Sequence, residues 1–218
     1  MTKYILDTTI ISPTSNNKAQ QIIVLCHGYG GDGKDISLLA INWRRFLPDA
    51  IFLCPNAPEI CPVNPQGYQW FDLSSEKEDV ILEKSLLAEE KLSKYLDQVI
   101  QDFQLEFSNL ALVGFSQGCM MAIQVALKNK EQINCLIGYS GKIINQKHLS
   151  ENINSKPKIL LMHGSNDTIV PPTHLLEAKE YLVNNGIKIK TKLFKNCEHK
   201  IPVEGSSLGL TFLRENLL

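Results

Sequence analysis

A buried-strand pattern, a tight turn and a helix pattern follow one another directly in the middle of this chain. Residues 110–113 are Leu-Ala-Leu-Val, residues 114–118 read Gly-Phe-Ser-Gln-Gly, and residues 119–127 suit a helix. A serine between two glycines in this context is typical of a nucleophile elbow, in which a strained turn raises the hydroxyl above the edge of a sheet. A Cβ at either glycine would collide with neighbouring backbone. The pattern therefore predicts an α/β fold with Ser116 at the carboxyl end of a strand.

Short apolar runs alternate with helix patterns over most of the chain. Continuous Val, Ile and Leu runs are typical of strands buried on both faces, as in a parallel sheet. Their alternation with helices predicts a doubly wound α/β fold with a mostly parallel central sheet, in which residues 1–218 form a single domain. The predicted strands are 22–26, 50–54, 110–113, 133–139, 159–162 and 187–194, and the predicted helices are 34–46, 79–103, 117–128, 173–183 and 203–217.

Three segments carry weaker or mixed patterns. Residues 187–194 alternate between apolar and polar side chains, which is typical of an edge strand. Residues 3–11 are expected to begin a hairpin that adds antiparallel strands at one edge of the sheet. Residues 55–73 hold four prolines, so an irregular segment is expected there. Its aromatic residues, including Tyr68 and Trp70, predict a packed loop that lines a substrate pocket.

Composition and charge exclude several classes of partner. The chain of 218 residues has a formal net charge of −1, without the clustered Lys and Arg that nucleic acid or an anionic membrane surface requires. No run reaches the ~18 apolar residues of a membrane span, and no signal-peptide pattern is recognisable. We therefore expect a cytoplasmic protein. Its six cysteines form no Cys-x-x-Cys pair, which favours buried reduced thiols over a metal or redox site.

A serine nucleophile needs a general base, and the base needs an acid that orients it. Asp167 follows the predicted strand 159–162, and His199 follows the predicted strand 187–194. Loops at the carboxyl ends of such strands supply the acid and the base, in the chain order Ser, Asp, His. Ser116, Asp167 and His199 are therefore predicted to converge as a catalytic triad.

Each of these residues has a structural alternative. Ser116 could lie in an ordinary strand–helix turn, Asp167 could be a turn or cap residue, and His199 could be a surface histidine. His27 and His163 are weaker candidates for the base, because each precedes a glycine at a strand end, where a histidine commonly holds loop backbone. The remaining histidines, in polar contexts that indicate exposure, are His148 and His174.

The tetrahedral intermediate of acyl transfer needs two donors to its oxyanion. The main-chain N–H of Gln117 is one candidate, because it follows the nucleophile and opens a helix whose dipole favours negative charge. The main-chain N–H of Tyr29 is the other, since it lies in the glycine-rich loop after the strand 22–26.

That glycine-rich loop also matches two nucleotide-binding patterns in part. Residues 28–33 spell G-x-G-x-x-G, but the next predicted strand ends in Cys-Pro-Asn, without an acidic residue for a ribose. Residues 28–34 match a phosphate-binding loop, but Asp35 replaces the Ser or Thr that would hold Mg²⁺. Both interpretations are disfavoured, and we expect neither a cofactor nor a metal.

Several short motifs together resemble the small phospholipase/carboxylesterase family, which includes acyl-protein thioesterases. They span nearly the whole chain in order, and Phe-Ser-Gln after the first glycine of the elbow is more specific than the bare elbow. The matching segments are 27–30 (His-Gly-Tyr-Gly), 32–35 (Asp-Gly-Lys-Asp), 47–50 (Leu-Pro-Asp-Ala), 55–58 (Pro-Asn-Ala-Pro), 70–72 (Trp-Phe-Asp), 114–118, His163-Gly164 with Asp167, and Val170-Pro171.

The resemblance implies a minimal α/β-hydrolase fold, mostly parallel and without a separate cap domain. It implies the same triad and the same two main-chain donors as above. Two positions depart from the family pattern. Cys119 stands where the family usually has a second glycine, and Asn-Cys-Glu-His at 196–199 stands where it typically has Gly-x-Gly-His.

These observations predict a serine hydrolase that cleaves carboxylic esters or thioesters through an acyl-enzyme, as a carboxylesterase, an acyl-protein thioesterase or a lysophospholipase does. Candidate substrates include a lipidated protein and a lysophospholipid; acyl length and oligomeric state stay open. The alternatives are a non-catalytic acyl- or protein-binding module on the same scaffold, and a peptidase. An intact triad argues against the module, because binding alone places no demand on three separated residues.

Overall fold

The computed structural model describes residues 4–15, 17–75 and 77–218, in which strands and helices alternate. The strands are β1 (Thr8–Ile11), β2 (Gln21–Cys26), β3 (Ala50–Pro55), β4 (Glu59–Cys61), β5 (Asn64–Gln69), β6 (Leu110–Phe115), β7 (Cys135–Tyr139), β8 (Lys158–Gly164) and β9 (Ile189–Phe194). The helices are α1 (Gly33–Trp43), α2 (Glu78–Phe103), α3 (Gln117–Lys128), α4 (Gln146–Ser150), α5 (Thr173–Asn184) and α6 (Val203–Leu217). Short 3₁₀ turns lie at Arg44–Phe46 and Phe107–Asn109.

Seven of the described strands form one sheet in the order β1–β3–β2–β6–β7–β8–β9. The strands β2, β3 and β6 to β9 run parallel, and β1 pairs antiparallel with β3. This confirms the predicted mostly parallel sheet. Its register places Gly114 of β6 beside Cys26 of β2, and Phe115 beside Tyr139 of β7. The loops that leave these strands therefore emerge together at one edge, where open α/β sheets bind ligands.

Helices cover both faces of the sheet, which explains why the strands are apolar without alternation. In β2, Ile22 and Val24 pack on the side of α2, α3 and α5, whereas Ile23 and Leu25 pack on the side of α1 and α6. All four side chains are fully buried. Strands anchored on both faces give the loops at their carboxyl ends a rigid frame.

The prediction for one edge strand of the sheet is confirmed in full, and the prediction for the other only in part. β9 is an edge strand, as predicted, and runs parallel to β8. At the other edge, the expected antiparallel strand is confirmed, because β1 pairs antiparallel with β3. The expected hairpin over residues 3–11 is wrong, because β1 does not pair with β2, the next strand in the chain. Among the described residues this segment has one strand, β1, and Tyr4 and Leu6 before it are buried in the core. The free energy gained by burying these two large apolar side chains exceeds what a longer edge strand would gain from its hydrogen bonds. Lys3 lies outside the described residues.

The segment 55–73 contains regular structure that its prolines conceal. β4 and β5 form a small antiparallel pair, in which Ile60 lies opposite Tyr68. The Tyr68 main chain also bonds to the loop after β2: its C=O accepts from Gly30 N–H at 2.9 Å, and its N–H donates to Gly31 O at 2.8 Å. The expectation of an irregular segment is therefore wrong, because pairing with distant backbone overrides the local effect of proline.

The predicted helices lie where the structure has them, with differences at their ends. The helix predicted over 34–46 is α1, which ends at Trp43 and continues as a 3₁₀ turn. At its start, the Asp32 carboxylate accepts from Asp35 N–H at 2.7 Å and caps the helix. The five-residue helix α4 has no counterpart in the predicted set, because so short a segment carries no clear periodicity.

Candidate active site

Ser116 lies at the sharp turn between β6 and α3. Its backbone has φ +53° and ψ −118°, a conformation that costs a non-glycine residue roughly 1–3 kcal/mol. Its N–H donates to Tyr139 O at 2.8 Å, which ties the turn to β7. A Cβ on Gly114 would lie 2.4 Å from Gly118 O, and a Cβ on Gly118 would lie 2.3 Å from Cys26 O. Both glycines are therefore required for the backbone to pass this closely.

Asp167 and His199 reach the same edge of the sheet from the loops after β8 and β9. His199 Nε2 lies 2.9 Å from Ser116 Oγ, and His199 Nδ1 lies 2.7 Å from Asp167 Oδ2. The three side chains that sequence reasoning singled out thus form one hydrogen-bonded chain. The His199 ring also packs against Phe115, with ring centroids 4.9 Å apart. Its orientation is set by hydrogen bonds at both nitrogens and by this contact.

The Asp167 carboxylate is buried, at 4% exposure, yet donors surround it. Its Oδ1 accepts from the main-chain N–H groups of Ile169 at 3.0 Å and Val170 at 2.9 Å. Burial acts to raise the pKa of Asp167, but the hydrogen bonds from His199 and from these two N–H groups outweigh it and lower the pKa. The ionised carboxylate only accepts, so His199 Nδ1 carries a proton and Nε2 can accept from Ser116.

The loop that carries His199 reaches this position without the glycines of the family pattern. Asn196 takes φ +53°, a left-handed conformation that asparagine tolerates better than most residues. Its N–H donates to Ser165 Oγ at 2.9 Å, and Cys197 O accepts from Asn166 N–H at 2.9 Å. The loop that carries His199 is therefore bonded to the loop that carries Asp167 despite this departure.

Cys119, the other departure, is accommodated by two glycines of β7 and the loop after it. A Cβ on Gly138 would lie 2.4 Å from Cys119 Sγ, and a Cβ on Gly141 would lie 2.5 Å from it. The thiol thus fills room that these glycines leave behind the elbow. Burial raises the pKa of Cys119 to about 12, which keeps it a thiol. All six cysteines are buried and unpaired, as predicted.

The two predicted oxyanion donors lie on either side of the serine. Gln117 is the first residue of α3, and Tyr29 lies in the loop after β2. That loop passes close to Ser116, since a Cβ on Gly28 would lie 3.3 Å from Ser116 Cβ. Among the described residues, neither main-chain N–H donates to another protein group. An oxyanion donor must be unpaired in this way before substrate binds.

A cavity of about 380 Å³ opens beside these groups. Its wall includes His199, Phe115 and Tyr29, together with the apolar side chains of Ile36 and Ile201. A larger hollow of about 550 Å³ between α1 and α6 contains none of the three hydrogen-bonded side chains. Of these two cavities, only the smaller one is lined by His199, so it is the candidate for the substrate pocket.

Neither aromatic residue predicted for the substrate pocket lines this cavity. Trp70 is fully buried, and its Nε1–H donates to His27 O at 2.9 Å. Tyr68 is half-buried, with its ring centroid 6.4 Å from that of His27. The expectation for Trp70 is corrected accordingly, because a large ring with one polar N–H has found a buried acceptor. Its indole is hydrogen-bonded to the loop after β2 and does not line this cavity.

The side chain of Gln117 makes contacts that the sequence patterns do not indicate. Its Oε1 accepts from Trp70 N–H at 2.8 Å, and its Nε2 donates to Phe71 O at 2.6 Å. This buried amide joins the elbow to the end of the segment 55–73. No local pattern reveals such a role, since its partners lie 46 and 47 positions away. The Phe-Ser-Gln of the family resemblance is the one signal that points to it.

His27 and His163 hold loop backbone, as predicted. His27 Nε2 accepts from Ala57 N–H at 2.9 Å, and its Nδ1 donates to Gly28 O at 2.7 Å. His163 Nε2 donates to Val170 O at 2.8 Å. Burial lowers the pKa of both imidazoles, which favours their neutral forms. The sequence context predicts that His148 and His174 are exposed. Both are half-buried beside polar groups instead.

In the part of the chain that the structure describes, no group of three or more His, Cys, Asp and Glu side chains is arranged to hold a metal ion. None of the helices in that part combines the length and the apolar character that crossing a membrane would require.

Comparison with known proteins agrees with this geometry. The profile of the phospholipase/carboxylesterase family matches residues 7–217. Esterase YpfH of Escherichia coli is 24% identical over 199 residues, which cover 90% of this chain and 83% of that protein. Acyl-protein thioesterase 1 of Gibberella zeae is 27% identical over 214 residues, which cover 89% of this chain and 90% of that protein.

The crystal structure of esterase PE8 superimposes with a TM-score of 0.93 at 36% identity, covering 97% of this chain and 99% of that chain. The predicted α/β-hydrolase fold is thereby confirmed, and the residues that the structure describes form no separate cap domain. The chain is a hydrolase that acts on esters or thioesters. It belongs to the phospholipase/carboxylesterase family.

Proposed function

We propose that Ser116, His199 and Asp167 are the catalytic triad of this hydrolase, and that the main-chain N–H groups of Tyr29 and Gln117 form its oxyanion hole. One observation carries the proposal: a single imidazole lies 2.9 Å from the serine hydroxyl through Nε2 and 2.7 Å from the carboxylate through Nδ1. This is the geometry that nucleophilic acyl transfer requires.

In the proposed reaction, Ser116 Oγ attacks the acyl carbonyl while His199 Nε2 takes its proton. The carbonyl oxygen becomes an oxyanion, which accepts from the two main-chain N–H groups. The tetrahedral intermediate then expels the alcohol or thiol, which receives the proton from His199. Asp167 stabilises the imidazolium throughout. Water, activated by the same imidazole, attacks the acyl-serine and releases the carboxylic acid.

The walls of the cavity favour an apolar acyl group. Tyr29, Ile36, Phe115 and Ile201 present rings and aliphatic carbons close to His199. A lipidated protein and a lysophospholipid both carry acyl groups of this kind, and a chain-length series of esters and thioesters separates them.

We further propose that residues 1–218 form a single domain. One sheet contains seven of the described strands, with β1 at one edge and β9 at the other.

The test combines kinetics with covalent labelling. Wild-type protein is expected to hydrolyse p-nitrophenyl esters and acyl thioesters, and to form an adduct at Ser116 with a fluorophosphonate probe. Ser116→Ala is expected to lose nearly all turnover and the adduct. Ser207→Ala, at an exposed position of α6, serves as the matched control and should behave as wild type. Undiminished hydrolysis by Ser116→Ala would exclude the mechanism, and a wild-type protein without an adduct would indicate a binding module.

A further inference from the structure

One buried imidazole outside the proposed triad contacts the proposed acid. His163 lies near the end of β8 and is 2% exposed. Its Nε2 lies 2.8 Å from Val170 O and 3.2 Å from Asp167 Oδ2. A carbonyl oxygen only accepts, so this nitrogen carries a proton. The Oδ2 atom beside it is the oxygen that His199 Nδ1 contacts at 2.7 Å.

Val170 is therefore held from both sides. Its N–H donates to Asp167 Oδ1 at 2.9 Å, and its C=O accepts from His163 Nε2. The residue is buried, so water does not readily replace either partner. The turn from Asp167 to Val170, which points the carboxylate at His199, is thus closed by the His163 donor.

Burial, more than the surrounding charges, favours the neutral form of the His163 ring. Burial lowers the pKa of His163, and the nearby His199 and His174 act in the same direction, against the hydrogen bond to Val170 and the charge of Asp167. A neutral ring donates one hydrogen bond without placing a second cation beside the carboxylate. It therefore does not compete with the imidazolium of His199 for Asp167.

We propose that His163 is a positioning residue for ester and thioester hydrolysis: by donating Nε2–H to Val170 O, beside Asp167 Oδ2, it sets the orientation of the acid and through it that of the base. The proposal rests on the triad proposed above. It assigns His163 no contact with the substrate or with Ser116.

The experiment compares two amide replacements. In His163→Gln, the side-chain amide nitrogen lies as many bonds from Cα as Nε2 does, so it can still donate to Val170 O. In His163→Asn, the amide is one bond shorter and does not reach. The Asn variant is expected to lose about 10- to 100-fold in kcat with little change in KM, the range for losing one hydrogen bond beside a charged group. The Gln variant is expected to stay within threefold of wild type.

The pH profile separates positioning from a general loss of folded protein. A misdirected carboxylate stabilises the positively charged form of the base less. The rising limb of kcat/KM against pH is therefore expected to move to lower pH in the Asn variant and to return in the Gln variant. The proposal would be overturned if the Asn and Gln variants fold and are equally impaired. It would also be overturned if the Asn variant keeps the kcat and the rising pH limb of wild type.

Hydrogen exchange supplies a readout that does not depend on turnover. The amides of Ile169 and Val170 donate to Asp167 Oδ1, and they are expected to exchange faster in the Asn variant than in wild type or the Gln variant. If wild-type protein hydrolyses no ester or thioester, the proposed triad fails on its own, and this measurement still decides the role of His163. Equal exchange in all three proteins would refute it.

Discussion

Ser116 is placed mainly by the backbone conformation of residues 114–118, whereas Asp167 and His199 are oriented mainly by hydrogen bonds to their side chains. On the nucleophile side, the strained φ of +53° follows from a strand and a helix that share one turn, with glycines where the backbone passes closest. On the side of Asp167 and His199, the two side chains bond to each other across their loops, and Asp167 also accepts from two main-chain N–H groups.

The difference separates two ways of building one site. A strained turn with closely packed backbone has no space for an added side-chain atom at its glycines, but it needs few hydrogen bonds from other segments. A pair of side chains on separate loops tolerates small steric changes but depends on every hydrogen bond that aligns it. Substitutions on the two sides should therefore fail in different ways, by loss of stability on one and by loss of rate on the other.

The largest effect is expected on the acid side. Asp167→Asn should lower kcat by about 10⁴-fold with a stable fold, because an amide can donate to His199 and favour the wrong tautomer. Steady-state kinetics with a p-nitrophenyl ester, alongside circular dichroism, measure it. Asp49→Asn, at a surface carboxylate near Asn17, is the control and should keep full activity. A loss smaller than tenfold would show that kcat depends little on the hydrogen bond between Asp167 and His199.

On the nucleophile side, Gly118→Ala should lower the free energy of unfolding by roughly 2–5 kcal/mol. The new Cβ would lie 2.3 Å from Cys26 O and 2.4 Å from His27 O, and backbone cannot easily move away. Urea unfolding followed by fluorescence measures the change. In the control Gly31→Ala, the nearest atom lies 3.4 Å away, so the cost should stay below about 1 kcal/mol. Equal stabilities for the two variants would contradict steric control of the elbow.

The smallest effect tests the link between the elbow and the segment 55–73. Gln117→Leu leaves the Trp70 N–H and the Phe71 C=O without partners and should cost roughly 1–3 kcal/mol of unfolding free energy. Gln124→Leu on the same helix is the control. Its buried Oε1 has no partner among the described residues, and its Nε2 lies 3.4 Å from Glu89, so little should be lost. Similar costs at both positions would mean that the Gln117 contacts add no particular stability.

Patterns within short stretches of sequence predict the parts of this protein that depend on neighbouring residues. The parallel sheet follows from continuous apolar runs, because a strand buried on both faces must be apolar throughout. The elbow follows from Gly-Phe-Ser-Gln-Gly between a strand and a helix. Asp167 and His199 could be named because each follows a recognisable strand, and parallel strands deliver their carboxyl ends to one edge.

Tertiary contacts decided what no local pattern contains. Trp70 reads as a pocket residue, yet its indole N–H found a buried carbonyl on a distant loop. The prolines of 55–73 predict irregular chain, yet β5 pairs with β4 and bonds to the glycine-rich loop. The partners of Gln117, the main chains of Trp70 and Phe71, lie 47 and 46 positions away. A hydrogen bond depends on where its partner lies in space, and for these groups that place is set by the packing of the whole chain.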